Sequence, residues 1–125
     1  MRLYKTKWFH RWAAREGLTG AVLRAAVAEL EQGLADALGG YVYKQRVALP
    51  GRGKRGGART LIAFRRGQVA FFLYGYSKNE RANISNDELK ALRLLAKELL
   101  GYSEPSLAKA INAGELVEVN DDGKT

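Results

Sequence analysis

The sequence predicts an α+β fold, in which helices pack on a small antiparallel sheet. Three observations predict it. Leu23, Val27, Leu30 and Leu34 recur at helical spacing within residues 20–37. From Tyr41 to Tyr76 the period changes to near two, broken by glycine-rich turns. From Ser85 to Gly101 a helical stripe returns behind a start signal and before a glycine stop.

Taken in order, residues 1–6 form a short strand. Lys7–Glu16 form a helix with Trp8 and Trp12 four residues apart on one face, which reads as core. Gly17 and Thr19 separate this helix from the next, over 20–37, which Gly39 and Gly40 stop; the two make a helical hairpin with one apolar side. Three strands follow, Tyr41–Ala48, Ala58–Phe64 and Gln68–Tyr76, with a glycine-rich loop between the first two and a turn at Arg65, Arg66 and Gly67 between the others. The last strand is almost wholly apolar, as a central strand covered on both faces should be. Ser85 and Glu88 form a capping box, in which a hydroxyl and a carboxylate three residues apart satisfy free amides at a helix start. Leu89, Leu92, Leu95, Ala96 and Leu99 are the stripe of that helix. A short helix near 106–113 and an extended piece at 115–119 end the pattern. Residues 1–100 are expected to hold the main unit, and 101–125 a C-terminal extension of the same single domain, a short helix with an acidic tail.

A chain of 125 residues with 46% hydrophobic content is one domain able to bury roughly two-thirds of its unfolded surface. Without cysteine it has neither disulfides nor a thiolate metal site, and the single His10 cannot build a zinc site alone. His10 reads as a surface residue, with a role as proton carrier the alternative. No apolar run approaches the ~18 residues of a membrane span, and no signal peptide is read at the N-terminus. The expected location is cytoplasmic, with no membrane partner.

The net charge of +8 favours an anionic partner. Residues 37–79 contain nine Lys or Arg and no Asp or Glu, whereas 101–125 hold Glu104, Glu115, Glu118, Asp121 and Asp122 against two lysines. The acidic tail either screens the basic surface or aids solubility. The densest cations, Arg52, Lys54, Arg55 and Arg59, stand among glycines, with Tyr41, Tyr43, Tyr74 and Tyr76 at the ends of the block. Cations attract phosphate, glycines admit close backbone approach, and rings offer stacking faces, so RNA or DNA is the first candidate partner. A flexible, solvated loop is the competing reading, opposed by the self-repulsion of so many like charges. Lys44 and Arg46 share a strand face with Val42 and Ala48. Tyr74, Tyr76 and Lys78 share one if their strand continues through Gly75. Core packing competes for both tyrosines, more for Tyr74 than for Tyr76 at the strand end.

Gly51, Gly53 and Gly56 match GxGxxG, but a strand follows where that motif opens a helix, and position 76 is Tyr where an acidic residue belongs. The Walker pattern fails because Arg55 stands in the Ser/Thr place. No nucleotide cofactor is expected. Metal-dependent phosphodiester cleavage needs clustered carboxylates or histidines, which the strands lack, so no metal or other cofactor is expected. Metal-free RNA cleavage by the ribose 2′-OH needs cations on the phosphate with a base and an acid beside it. A lysine crowded by cations has its pKa lowered toward general-base duty, and arginine stabilises the phosphorane charge.

Lys44 and Arg46, the run from Gly51 to Arg59, the run from Phe72 to Glu80, and the helix start from Asn83 to Leu89 together resemble the RelE-type toxins of bacterial toxin–antitoxin modules, and within them a RelE/HigB-like branch with a GKxGGxR loop. The resemblance covers about residues 1–100 and implies the β-α-α-β-β-β-α plan. It implies a metal-independent endoribonuclease that cleaves mRNA on the ribosome and is neutralised by a cognate acidic antitoxin. It implies that Lys54, Arg55 and Arg59 neutralise the scissile phosphate, that Lys44 and Arg46, with Arg65, bind the RNA, that Tyr76 stacks on a base, and that Lys78 is an acid or base. Arg59, Tyr76 and Lys78 are thus the catalytic candidates. The antitoxin is expected over the basic sheet face, and the segment after Ser103 outside the compact core. A non-catalytic nucleic-acid-binding module and a ParE-like gyrase inhibitor are the alternatives.

Overall fold

The computed structural model describes residues 1–51 and 53–119, and of residues 53–56 the backbone alone. The elements run β1 (Arg2–Thr6), α1 (Lys7–Glu16), α2 (Gly20–Glu31), β2 (Asp36–Ala37), β3 (Val42–Leu49), β4 (Gly53–Arg65), β5 (Val69–Ser77), α3 (Asn86–Leu100), α4 (Glu104–Asn112) and β6 (Leu116–Glu118). They build one sheet in the order β2-β3-β4-β5-β1-β6. β1 is parallel to β5, and every other pairing is antiparallel. The expected α+β class and strand–helix order are therefore observed, the extended piece at 115–119 appearing as the edge strand β6 and the short edge strand β2 being added.

Helices start where side-chain oxygens meet free amides. Thr6 accepts from the Phe9 N–H at 3.1 Å, Thr19 from Val22 at 3.3 Å and Ser103 from Ser106 at 3.2 Å, and the Ser85–Glu88 capping box is complete. α2 is shorter than the spacing predicts. It stops at Glu31 because Gly33 turns the chain at φ 81°, which leaves Leu34 exposed.

Two apolar layers cover the sheet. On the first face, Phe9, Trp12, Leu23, Val27 and Leu30 of α1 and α2 pack on Val47, Ile62 and Phe72. On the second face, Ala96, Leu99 and Leu100 of α3 and Leu107 and Ala110 of α4 pack on Tyr4, Leu61, Ala63, Phe71 and Leu73. β5 serves both layers, as its unbroken apolar run predicts. Burying each of its aromatic rings contributes roughly 1.5–3 kcal/mol. A register shift opposite Leu61 and Ile62 places Leu73 and Tyr74 on the same face. It also turns Gly75 toward α1, where a Cβ would lie 2.3 Å from the Trp12 ring.

Three expectations change. The glycine-rich segment is mostly strand: Pro50 and Gly51 form a turn, and β4 pairs with β3 at Gly53 and again from Ala58. Backbone pairing outweighs the weak strand preference of glycine there. Residues 104–119 belong to the core, because Leu107, Ala110 and Leu116 join the second layer and Val119 the first. β6 pairs with β1 and covers its outer edge. Trp12 is buried as expected, but Trp8 is 43% exposed, stacked on Tyr74 with ring centroids 4.4 Å apart. Trp8 stands in the first turn of α1 and lines a cavity with Leu95 and Leu99 of α3, on the side of the second layer.

Candidate nucleic-acid interface

Strand alternation turns Val42, Lys44 and Arg46 of β3 toward the second face, while Tyr43, Gln45 and Val47 turn toward α2. Register then builds a row across three strands. Arg46 lies opposite Arg59, and Arg59 opposite Tyr76. The adjacent row is Lys44, Leu61 and Tyr74. Lys78 stands exposed just past β5, its N–H still donating to the Gly57 carbonyl at 3.3 Å. Residues more than a dozen positions apart in sequence thus become neighbours.

Two unfavourable features meet in the first row. Like charges directly opposite in a sheet repel, and Arg46 faces Arg59. Arg59 is only 9% exposed, and one terminal guanidinium nitrogen has no hydrogen-bond partner among the described residues. Leaving a buried donor unsatisfied costs about 1–3 kcal/mol, and more for a charged group. A phosphate oxygen would relieve both.

Tyr76 is buried at 3%, and its ring belongs to the second layer. The guanidinium of Arg81 lies 5.6 Å from its centroid, and its hydroxyl donates to Asn83 Oδ1 at 3.4 Å. Burial pushes its phenol pKa up, more than the neighbouring Arg59 and Arg81 draw it down, so the group is a proton donor near neutral pH. Arg81 is fixed by Glu88, whose carboxylate accepts from the guanidinium at 2.9 Å and is held at a pKa of about 2. It also donates to the Asn83 carbonyl at 3.0 Å. Arg81 escaped the sequence reading, which took Asn83 only as part of the α3 start. The available signal was a cation placed between the strand end and the capping box, with Glu88 in reach.

Other expected residues lie elsewhere. Arg65, at the far end of β4, sits over the Tyr41 ring and donates to the Leu100 carbonyl at 3.1 Å, away from the row. The tyrosines are likewise dispersed. Tyr43 packs edge-on against Phe64, Tyr41 is exposed beside Arg65, and Tyr76, expected to be the more exposed of its pair, is more buried than Tyr74. The side chains of Lys54 and Arg55 lie outside the described residues, as do Asp121 and Asp122 of the acidic tail. His10 is exposed on α1, across the sheet from the row. Its pKa is lowered, by partial burial first and then by Lys5 and Arg11. Among the described residues no three His, Asp or Glu side chains gather as metal donors, and no helix is long and apolar enough to cross a membrane.

The model of the family described as the RelE toxin of the RelE/RelB toxin–antitoxin system matches residues 1–119, a span that takes in β6 as well as the row. No curated protein matches the chain.

Proposed function

Because the chain belongs to the RelE family of toxin–antitoxin toxins, we propose that it is an endoribonuclease that cleaves mRNA on the ribosome and is held in check by an acidic antitoxin. The observation that carries this reading is Arg59: a nearly buried guanidinium, unpartnered at one nitrogen among the described residues, opposite a second arginine. A scissile phosphate supplies what both lack. Arginine stays charged through the reaction and offers a planar fork to two oxygens of a developing phosphorane.

In this reading the ribose 2′-OH attacks the adjacent phosphorus, the 5′-oxygen leaves, and a 2′,3′-cyclic phosphate remains. Arg59 stabilises the charge gained by the non-bridging oxygens. Arg46 and Lys44 guide the strand across β3. Lys78, exposed beside the row, takes or returns a proton. Tyr76 stays protonated beneath Arg81 and serves as a donor or as a support for Arg59. Lys54 and Arg55, close in sequence, add to the positive field.

The test is a translating extract with mRNA ends mapped by primer extension and product termini identified chemically. Cuts inside ribosome-bound codons that end in a cyclic phosphate support the proposal. Arg59→Ala should lower cleavage roughly 10²–10³-fold, the usual loss on removing one preorganised donor to a developing oxyanion. Unchanged cleavage in both Arg59→Ala and Lys78→Ala would remove the row from the mechanism. Intact message with arrested translation would favour a binding module, and normal translation would direct the assay to gyrase.

A further inference from the structure

An aromatic face stands open where the helical spacing predicts core. Tyr76, the residue expected to stack on a base, is 3% exposed beneath the Arg81 guanidinium and has no face free for one. Among the described residues the exposed aromatic rings are Trp8 and Tyr41, and Tyr41 lies beside Arg65, away from the arginine row. Trp8 lies near it.

The position of Trp8 is built from both strand and helix. The Thr6 hydroxyl donates to the Leu73 carbonyl at 3.1 Å and accepts from the Phe9 N–H at 3.1 Å. That fixes the step from β1 into α1 beside β5. Trp8 thereby lies on Tyr74, with ring centroids 4.4 Å apart and planes 24° from parallel. Trp12, one helical turn on, supports it from 6.2 Å at 12° from parallel. Tyr74 lies opposite Leu61 and Leu61 opposite Lys44, so Trp8 extends this row past β5. Arg81 ties it to the arginine row, since its Nη1 donates to the Tyr74 hydroxyl at 3.5 Å while its guanidinium lies over Tyr76. Tyr74 and Tyr76 are two strand residues apart, about 7 Å at roughly 3.4 Å per residue. The platform is in place before any ligand arrives.

Trp8 is 43% exposed, which keeps apolar ring surface in water. Its neighbours select what covers it. A cavity of about 300 Å³ opens beside the ring, with Leu95, Leu99 and Leu116 as apolar wall and with Glu98 and Glu115 also lining it. Those carboxylates repel phosphate, whereas Lys44, Arg46 and Arg59 attract it. A nucleotide is thus oriented with its phosphate on the row and its uncharged base toward Trp8. Cations that track a backbone beside an aromatic face are the combination that holds single strands. We infer that Trp8, backed by Tyr74, is the platform on which a base of single-stranded RNA stacks, next to the phosphate held by Arg59. This rests on the row being an RNA site and not on the cleavage step.

A short single-stranded RNA with 2′-O-methyl at every ribose cannot undergo 2′-OH attack, so it reads binding without cleavage. It is titrated into the full chain at low salt, followed by tryptophan fluorescence and by anisotropy of an end label. The parent should be quenched, because Trp8 faces solvent while Trp12 is only 4% exposed. Affinity should fall roughly 5- to 150-fold with Trp8→Ala, the range for one base–aromatic stack, and largely return with Trp8→Phe. An abasic position, found by scanning, should weaken the parent by as much and Trp8→Ala no further. Thermal melts verify that both variants fold. Absence of binding, binding without quenching, or binding indifferent to Trp8→Ala overturns the inference, the last leaving the ring to a protein partner. So do additive losses from the abasic position and Trp8→Ala, which would make the role of Trp8 structural. Quenching by a chain that cuts no message in the translating extract would keep the platform and remove the nuclease reading.

Discussion

At the scale of single residues, the sheet juxtaposes groups that would be costly without a reason. Arg46 and Arg59 face each other, and Arg59 keeps a buried donor unmatched among the described residues. Gly75 is the converse case, a position where chemistry is excluded by space. Gly75→Ala puts a methyl 2.3 Å from the Trp12 ring, and overpacking of this kind typically costs about 1–3 kcal/mol. Urea unfolding should show that loss, and Trp12→Leu in the same chain should recover part of the penalty attached to Gly75→Ala. Glu88 makes a pH prediction. Its carboxyl falls from an ordinary 4.5 to about 2, through Arg81 first and the Ser85 amide second. A depressed native pKa contributes stability that is complete above pH 4.5 and lost as pH falls through about 2. The stability difference between the parent and Glu88→Gln should therefore shrink across that window and vanish below it; a constant difference would show that the ion pair is not its source.

At the scale of elements, the helix starts and the glycine strand behave differently. The α3 start was legible because capping is local: Ser85 and Glu88 are three residues apart, and each supplies the partner that the other's amide lacks within the helix. Ser85→Ala should cost about 1 kcal/mol in urea unfolding. It should also loosen Arg81, measurable as a change in the Tyr76 phenol titration, since the Glu88 amide would lose the Ser85 hydroxyl that fixes the first turn and with it the Glu88 carboxylate. The glycines from Gly53 to Gly57 announced a loop because their propensity is for turns. They are nevertheless drawn into a 13-residue strand, Gly53 opposite Leu49 of β3 and the Gly57 carbonyl accepting from the Lys78 N–H just past β5. Pairing over a long register is a cooperative gain that no window of local sequence displays.

At the scale of the molecule, one sheet separates two apolar layers, and the basic row lies on the second face, where its Tyr76 joins the layer packed under α3. α4 and β6 complete that arrangement. They supply Leu107, Ala110 and Leu116 to one layer and Val119 to the other, and β6 protects the edge of β1. A chain ending at Leu100 should therefore lose cooperative thermal unfolding and expose enough apolar surface to bind a hydrophobic dye. Retention of a sharp parental transition would show that 101–119 is dispensable. The ion pair of Glu104 with Arg2 plays little part in this, being exposed on both sides.

By itself the sequence determined the α+β class, the positions of the three long helices and the central strands, the basic character of residues 37–79 and the family resemblance. Periodicity, capping and net charge act over a few residues and survive without three-dimensional information. Only the tertiary structure decided which cations meet. Lys44, Arg46 and Arg59 form a surface because strand register aligns them, while Arg65, equally charged and on the same strand as Arg59, is carried to the far end of that strand beside Tyr41. Burial of Tyr76 beneath Arg81, exposure of Trp8 and incorporation of β6 likewise depend on contacts between distant segments. Register and layer packing are long-range terms, and the same residue types would have served either outcome.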